Sequence, residues 1–229
     1  MRWPFSVQRR DPVVPADADM LDVFVIMGAR PFDKPRVWTD DLPDGRQAVR
    51  CFLSPFDAMI EAACLAKFDI ESEVVAAREI DFRADMAASV RHPVFCLHLS
   101  WAAKDNWIFP RPDGRPSATA IEMPQRFFRR RIRLRPDTDM LARVDAIHER
   151  AGLFAWRETV RNVRNWSDAR RRELAERAAR IVLAECCNDS TEPHHVLFDP
   201  EFGQWHFVPF NGESLPCRYE AARYKRQGS

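Results

Sequence analysis

Ten consecutive residues, Arg126-Phe-Phe-Arg-Arg-Arg-Ile-Arg-Leu-Arg135, carry six arginines. Guanidinium groups make bidentate, charge-assisted pairs with carboxylates and phosphates, and they stack on aromatic rings. Read as a single strand, the stretch sends Arg129, Arg131, Arg133 and Arg135 to one face, with Phe128, Ile132 and Leu134 on the other. Same-face residues of a strand recur every ~7 Å. Four like charges at that pitch repel unless acids, solvent or a partner come between them. The expected partner is an acidic protein surface, and a nucleic-acid backbone is the second class. The internal alternative is a cross-strand ladder with Glu71, Glu73, Glu79 or Asp81.

The charge distribution extends this reading beyond ten residues. Net charge is only +1. Residues 126–180 nevertheless hold 16 Arg against 8 acids, whereas residues 1–125 hold 15 basic and 19 acidic side chains. Residues 181–229 hold 4 and 7. Such polarity steers an oppositely charged partner. No helix-turn-helix pattern or RNA-binding aromatic signature accompanies it.

Other residues have types suited to chemistry but unsuitable spacing. Cys186, Cys187, His194 and His195, with His206 and Cys217 beyond them, are the candidate metal ligands, because thiolate and imidazole are the donors zinc prefers. Adjacent cysteines do not readily converge on one tetrahedral ion, so the expectation is no metal and no cofactor. Trp38, Trp101, Trp107 and Trp205 are candidates to line a ligand groove. Seven glycines in 229 residues leave little material for phosphate-binding loops.

Two short motifs resemble known catalytic families. Phe198-Asp-Pro-Glu-Phe-Gly203 resembles the aspartate-bearing turn of papain-like cysteine peptidases. That chemistry needs a histidine touching both thiol and carboxylate. His195 and Asp199 lie ~13 Å apart along an extended segment, so they do not form that pair. Arg143 and His148 have the Arg-x₄-His spacing that resembles the motif of HEPN ribonucleases. The resemblance implies that Arg143 binds the scissile phosphate and His148 serves in acid–base chemistry. Val144 follows the arginine, where that family usually has a polar residue.

The elements that must position these residues are legible from pattern. Leu21 to Gly28 and Arg46 to Leu53 read as strands, and Val94 to Trp101 as another. Ser54-Pro55-Phe56-Asp57 starts a helix: Ser54 is the N-cap, Pro55 sits at the first helical position, and Asp57 is the capping-box acid. Glu73 to Phe82 fits strand or helix. After Pro136, Asp137 or Thr138 caps a helix ending near Gly152. A second helix covers Phe154 to Asn165, and Ser167 caps a third over 168–187. His195 to Phe198 and Gln204 to Phe210 form a hairpin.

These elements predict an α+β fold: a mostly antiparallel sheet, a helical run over about 138–187 packed on it, and a C-terminal hairpin. An extended lead-in (1–20) precedes one domain (21–217), and a polar tail (218–229) follows. The first residues, Met1-Arg-Trp-Pro-Phe-Ser, show no long apolar stretch and no small-residue cleavage site, and the run Val23 to Met27 is far short of a membrane span, so neither a leader nor a membrane span is expected. Six cysteines without scaffold spacing predict free thiols and a cytoplasmic location. Arginine outnumbers lysine 31 to 4, as in GC-rich bacterial genomes. The expected role is a non-catalytic protein-binding module, of the immunity or accessory kind. It recognises an acidic partner through Arg129, Arg131, Arg133 and Arg135. The competing role is a nucleic-acid-acting enzyme using Arg143 and His148.

Overall fold

A computed structural model describes residues 21–28, 35–42, 45–86, 94–104, 107–108, 116–123, 126–128, 131–180 and 194–209. In chain order the strands and helices are β1 (Phe24–Gly28), β2 (Arg36–Val37), β3 (Asp40–Asp41), β4 (Gln47–Cys51), α1 (Pro55–Ala66), β5 (Ser72–Ala76), α2 (Phe82–Asp85) and β6 (Val94–Lys104). They continue with β7 (Trp107–Ile108), β8 (Ala118–Met123), β9 (Arg126–Phe128), β10 (Arg131–Arg133), α3 (Thr138–Arg150), α4 (Trp156–Arg164), α5 (Asp168–Ala179), β11 (His194–Asp199) and β12 (Gln204–Pro209). The fold is α+β, its strand pairs are mostly antiparallel, and β11 and β12 form the expected C-terminal hairpin.

The long strand β6 organises the larger sheet. It pairs parallel with β4 through Val94–Leu97 and antiparallel with β11 through Trp101–Ala103, while β8 and β7 pair with it as well. Alternation sends Val49 and Cys51 of β4, and Phe95, Leu97 and Leu99 of β6, into one core with Met140, Val144 and Ile147 of α3. Phe52 and Trp101 enter the second core with Phe56, Ile60 and Leu65 of α1 and Ala175 and Ala178 of α5. The helical run thus wraps from one face of the sheet to the other. α4 bridges the two cores, contributing Trp156 and Val160 to the first and Val163 to the second.

One irregularity in β6 decides which side chains meet. Opposite β8 the register steps from His98↔Ala120 to Ser100↔Thr119, leaving Leu99 as a bulged residue. The alternation reverses there. The His98 and Trp101 rings come into contact, with centroids 4.4 Å apart and their planes tilted by 54°, and Ser100 meets His195 of β11. A smaller sheet, β2-β1-β5, joins the larger one through the Phe24↔Phe52 bridge.

The helix starts follow their caps. Ser54 Oγ accepts from the Phe56 and Asp57 amides at 3.1 and 3.4 Å, Asp137 accepts from Met140, and Ser167 accepts from Arg170. Among the described residues the Asp57 carboxylate makes no bond back to Ser54, so the capping box is half formed. The ambiguous 73–82 stretch resolves into β5, a single 3₁₀ turn (Ala77–Glu79) and the start of α2. The segment 126–135 is not one strand. β9 and β10 pair antiparallel in a two-stranded sheet, with Arg131 opposite Phe128 and Arg133 opposite Arg126. A single sequence of alternating positions cannot reveal such a reversal, because both halves keep period two.

Arg50 is the polar centre of the second face. Its guanidinium bonds Asp40 of β3 at 2.9 Å and Glu61 of α1 at 3.1 Å, and all three side chains are 5% exposed or less. The triad ties two strands to the helix that covers them. Removing one member leaves an uncompensated buried charge, which costs about 3–5 kcal/mol. Glu61→Ala is therefore expected to lower the free energy of unfolding by about that amount, read from urea denaturation. A loss under about 1 kcal/mol, the size of an exposed pair, would show the triad to be solvated.

Candidate functional site

The corner between α3 and α4 is held by several side-chain and backbone bonds. Gly152 leaves α3 in the left-handed region (φ 77°). The Leu153 amide then donates back to the His148 carbonyl at 2.8 Å. Asp145, one and a half turns from the end of α3, accepts from Trp156 Nε1 at 3.0 Å. It also accepts from Arg157 Nε and Nη2 at 3.2 and 2.7 Å, so one carboxylate holds the first turn of α4. The His148 ring stacks on Trp156 with centroids 4.6 Å apart, and its Nδ1 bonds the Val144 carbonyl at 2.8 Å. From this locked corner Phe154 projects with 78% of its surface exposed.

Some arginines of the helical run are spent within the fold. Arg157 pairs with Asp145, Arg164 with Asp22, Arg171 with Asp168, and Arg170 stacks on Trp166 at 3.7 Å. Others are not. Arg143, Arg150, Arg161, Arg172 and Arg180 are exposed, and none has a carboxylate within salt-bridge distance among the described residues. Arg143 and Arg150 are seven positions apart in α3. They lie nearly in line, about 10 Å from each other.

The predicted stripe is distributed differently. Arg131 and Arg133 are in β10, Arg135 lies beyond it and is exposed, and Arg129 lies outside the described residues. Two of the acids named as internal partners of the stripe can be placed. Glu73 is in β5 opposite Met27, and Glu79 approaches Arg78.

Arg143 and His148 do not converge. Five helical positions separate them by about 140° around the axis. Arg143 faces solvent, while His148 is committed to Val144 and Trp156. Burial lowers the His148 pKa to about 4, against smaller upward pulls from the Val144 bond and Asp145. Of the metal candidates, Cys186 and Cys187 lie outside the described residues. His194 is half-buried, His195 is buried, and no metal-binding group of side chains occurs among the described residues. The tryptophans do not line a groove together: Trp101 is core, Trp107 is exposed, and Trp205 packs edge-on against Phe198.

Asp199 caps its own turn, accepting from the Glu201 and Phe202 amides at 2.9 and 3.3 Å. Sequence inspection missed a nearby contact between a nucleophile and a base: Ser100 Oγ to His195 Nδ1, 2.7 Å. Ser100 is fully buried and His195 is 3% exposed, so the pair serves the core. Cys51, Cys64 and Cys96 are buried. Burial, and then Cys96, push the Cys51 thiol above its usual range, which makes it a poor nucleophile.

No helix among the described residues is long and apolar enough to cross a membrane. Comparison with family models, with curated proteins and with solved structures finds no match to this chain.

The buried histidines make stability depend on pH. Burial holds His148 and His195 at about 4, with Arg150 lowering His195 further. His98 is lowered by burial, then by Arg50 and His148. Unfolding exposes all three. Between about pH 6.5 and 4 the unfolded chain binds more protons, so stability falls as pH falls through that window. Asp57 opposes this: burial raises it to about 7, so the fold holds its proton where the unfolded chain does not. Three histidines outweigh one aspartate. The urea midpoint is expected to be lower at pH 4.5 than at pH 7, with a flatter dependence in His195→Gln. A midpoint that rises toward pH 4.5 would contradict the neutral, buried histidines.

Proposed function

We propose that this chain is a non-catalytic protein-binding module, of the immunity or accessory kind, which recognises an acidic partner in the bacterial cytoplasm. The observation that carries the reading is the set of exposed arginines on α3, α4 and α5 with no carboxylate in reach among the described residues. An unpaired guanidinium at a surface keeps its five donors for a partner's carboxylates. On this reading the arginines that meet the partner are Arg129, Arg131, Arg133 and Arg135 together with Arg143, Arg150 and Arg161. The absence of a disulfide-scaffold spacing among the six cysteines supports a reducing compartment.

A protein partner is favoured over nucleic acid by the company these arginines keep. Asp139, Glu149 and Glu158 are exposed among them. A mixed mosaic repels a uniformly anionic backbone but can be matched by another protein. The alternative reading, a nucleic-acid-acting enzyme using Arg143 and His148, draws no support from two side chains on different sides of α3.

The test is a pull-down from extract of the source cell at low and at high salt. The purified chain is expected to retain an acidic protein at low salt, and the Arg143→Ala/Arg150→Ala/Arg161→Ala variant is expected to lose it. Equal retention of the same proteins by the variant and the unaltered chain would overturn the reading. So would RNA cleavage by the purified chain that disappears in His148→Ala.

A further inference from the structure

We propose that the central sheet binds water inside the fold, at residues 98–100 of β6, where the Trp101 indole, the His98 ring and the backbone of that stretch hold it. The site is separate from the surface arginines and arises from a break in the pairing of β6.

The break follows from register. Phe95 and Leu97 pair with Met123 and Ile121 of β8, and also with Val49 and Cys51 of β4. Trp101 pairs with Ala118 of β8 and also with Val196 of β11. A strand residue has one neighbour on each side, so β4 and β11 both lie on the side opposite β8. The ladder with β4 ends at Leu97, and the ladder with β11 ends at Trp101. Among the described residues, no strand pairs with His98, Leu99 or Ser100 on that side. Successive strand residues turn their N–H and C=O groups to opposite edges, so this stretch directs backbone polar groups into the break. All three residues are buried, and buried backbone groups are satisfied by protein or by ordered water.

Two side chains bring further polar atoms to the same place. In a regular strand His98 and Trp101, three apart, point to opposite faces. The Leu99 bulge brings both to one face, with ring centroids 4.4 Å apart. They are 6% and 1% exposed. His98 Nδ1 and Trp101 Nε1 are buried, and neither has a hydrogen-bond partner among the described residues. An indole N–H only donates. Burial, then Arg50 and His148, lower the His98 pKa. At neutral pH its ring is therefore uncharged, with one nitrogen donating and the other accepting.

Water suits this set, since it both donates and accepts and makes about three hydrogen bonds when buried. A larger solute has no way in: Phe52, whose ring lies 5.1 Å from His98, is fully buried, as are Leu99, Ser100 and Trp101.

Proton NMR of the full chain tests this, with Trp101→Phe assigning the Trp101 indole signal. The Trp101 Nε1–H is expected to exchange slowly with bulk solvent and yet to show direct cross-relaxation with water, of the sign given by a long-lived internal molecule. In His98→Phe that cross-peak is expected to weaken, because the water loses a partner. A slowly exchanging indole with no water cross-peak overturns the proposal, and so does an indole that exchanges rapidly, which would place it in contact with bulk solvent. An unchanged cross-peak in His98→Phe would overturn the bridge between the two rings. The measurement on the unaltered chain decides the matter even if His98→Phe does not fold.

Discussion

Burying the Arg50 guanidinium constrains everything built around it. A charge cannot sit in this core alone, so β3 must bring Asp40 and α1 must bring Glu61 to within hydrogen-bonding distance. That requirement fixes α1 on its face of the sheet. With α1 in place, α5 packs beside it and α4 carries the chain back to the opposite face, where α3 lies.

The same residue type is used in the opposite sense on the outside. Arg50 and Arg157 are clamps, each paired with carboxylates of the chain. Arg143, Arg150 and Arg161 have no such partner among the described residues and remain available. The functional reading depends on this division rather than on arginine content. Asp145 is where the first use shapes the surface: the carboxylate that consumes Arg157 also ties α3 to the first turn of α4, beside the exposed Phe154.

Local signals in the sequence identified most elements and few contacts. Ser54-Pro55, Asp137 and Ser167 placed three helix starts because a cap acts within three residues. Val94 to Trp101 announced β6, and the Phe198–Gly203 turn announced its hairpin. The reversal between β9 and β10 was hidden, since alternation alone looks the same in one strand or two. The Leu99 bulge was equally hidden, and with it the meeting of Ser100 and His195. Arg50 did leave a trace: an arginine inside Ala48-Val-Arg-Cys-Phe52 needs a buried acid, and Glu61 sits among the apolar residues of α1. His148 looked like a catalytic candidate because spacing says nothing of what a ring stacks on. The exposed Phe154 resembled any other helix-flanking aromatic.

Nitrogen-detected NMR of the arginine side chains tests the division most directly, because it reports rotation and proton exchange of each guanidinium. Arg50 and Arg157 are predicted to show hindered rotation and slow exchange. Arg143, Arg150 and Arg161 are predicted to rotate freely and exchange rapidly. Slow, hindered signals from those three would mean that the fold already holds them, and would contradict the account.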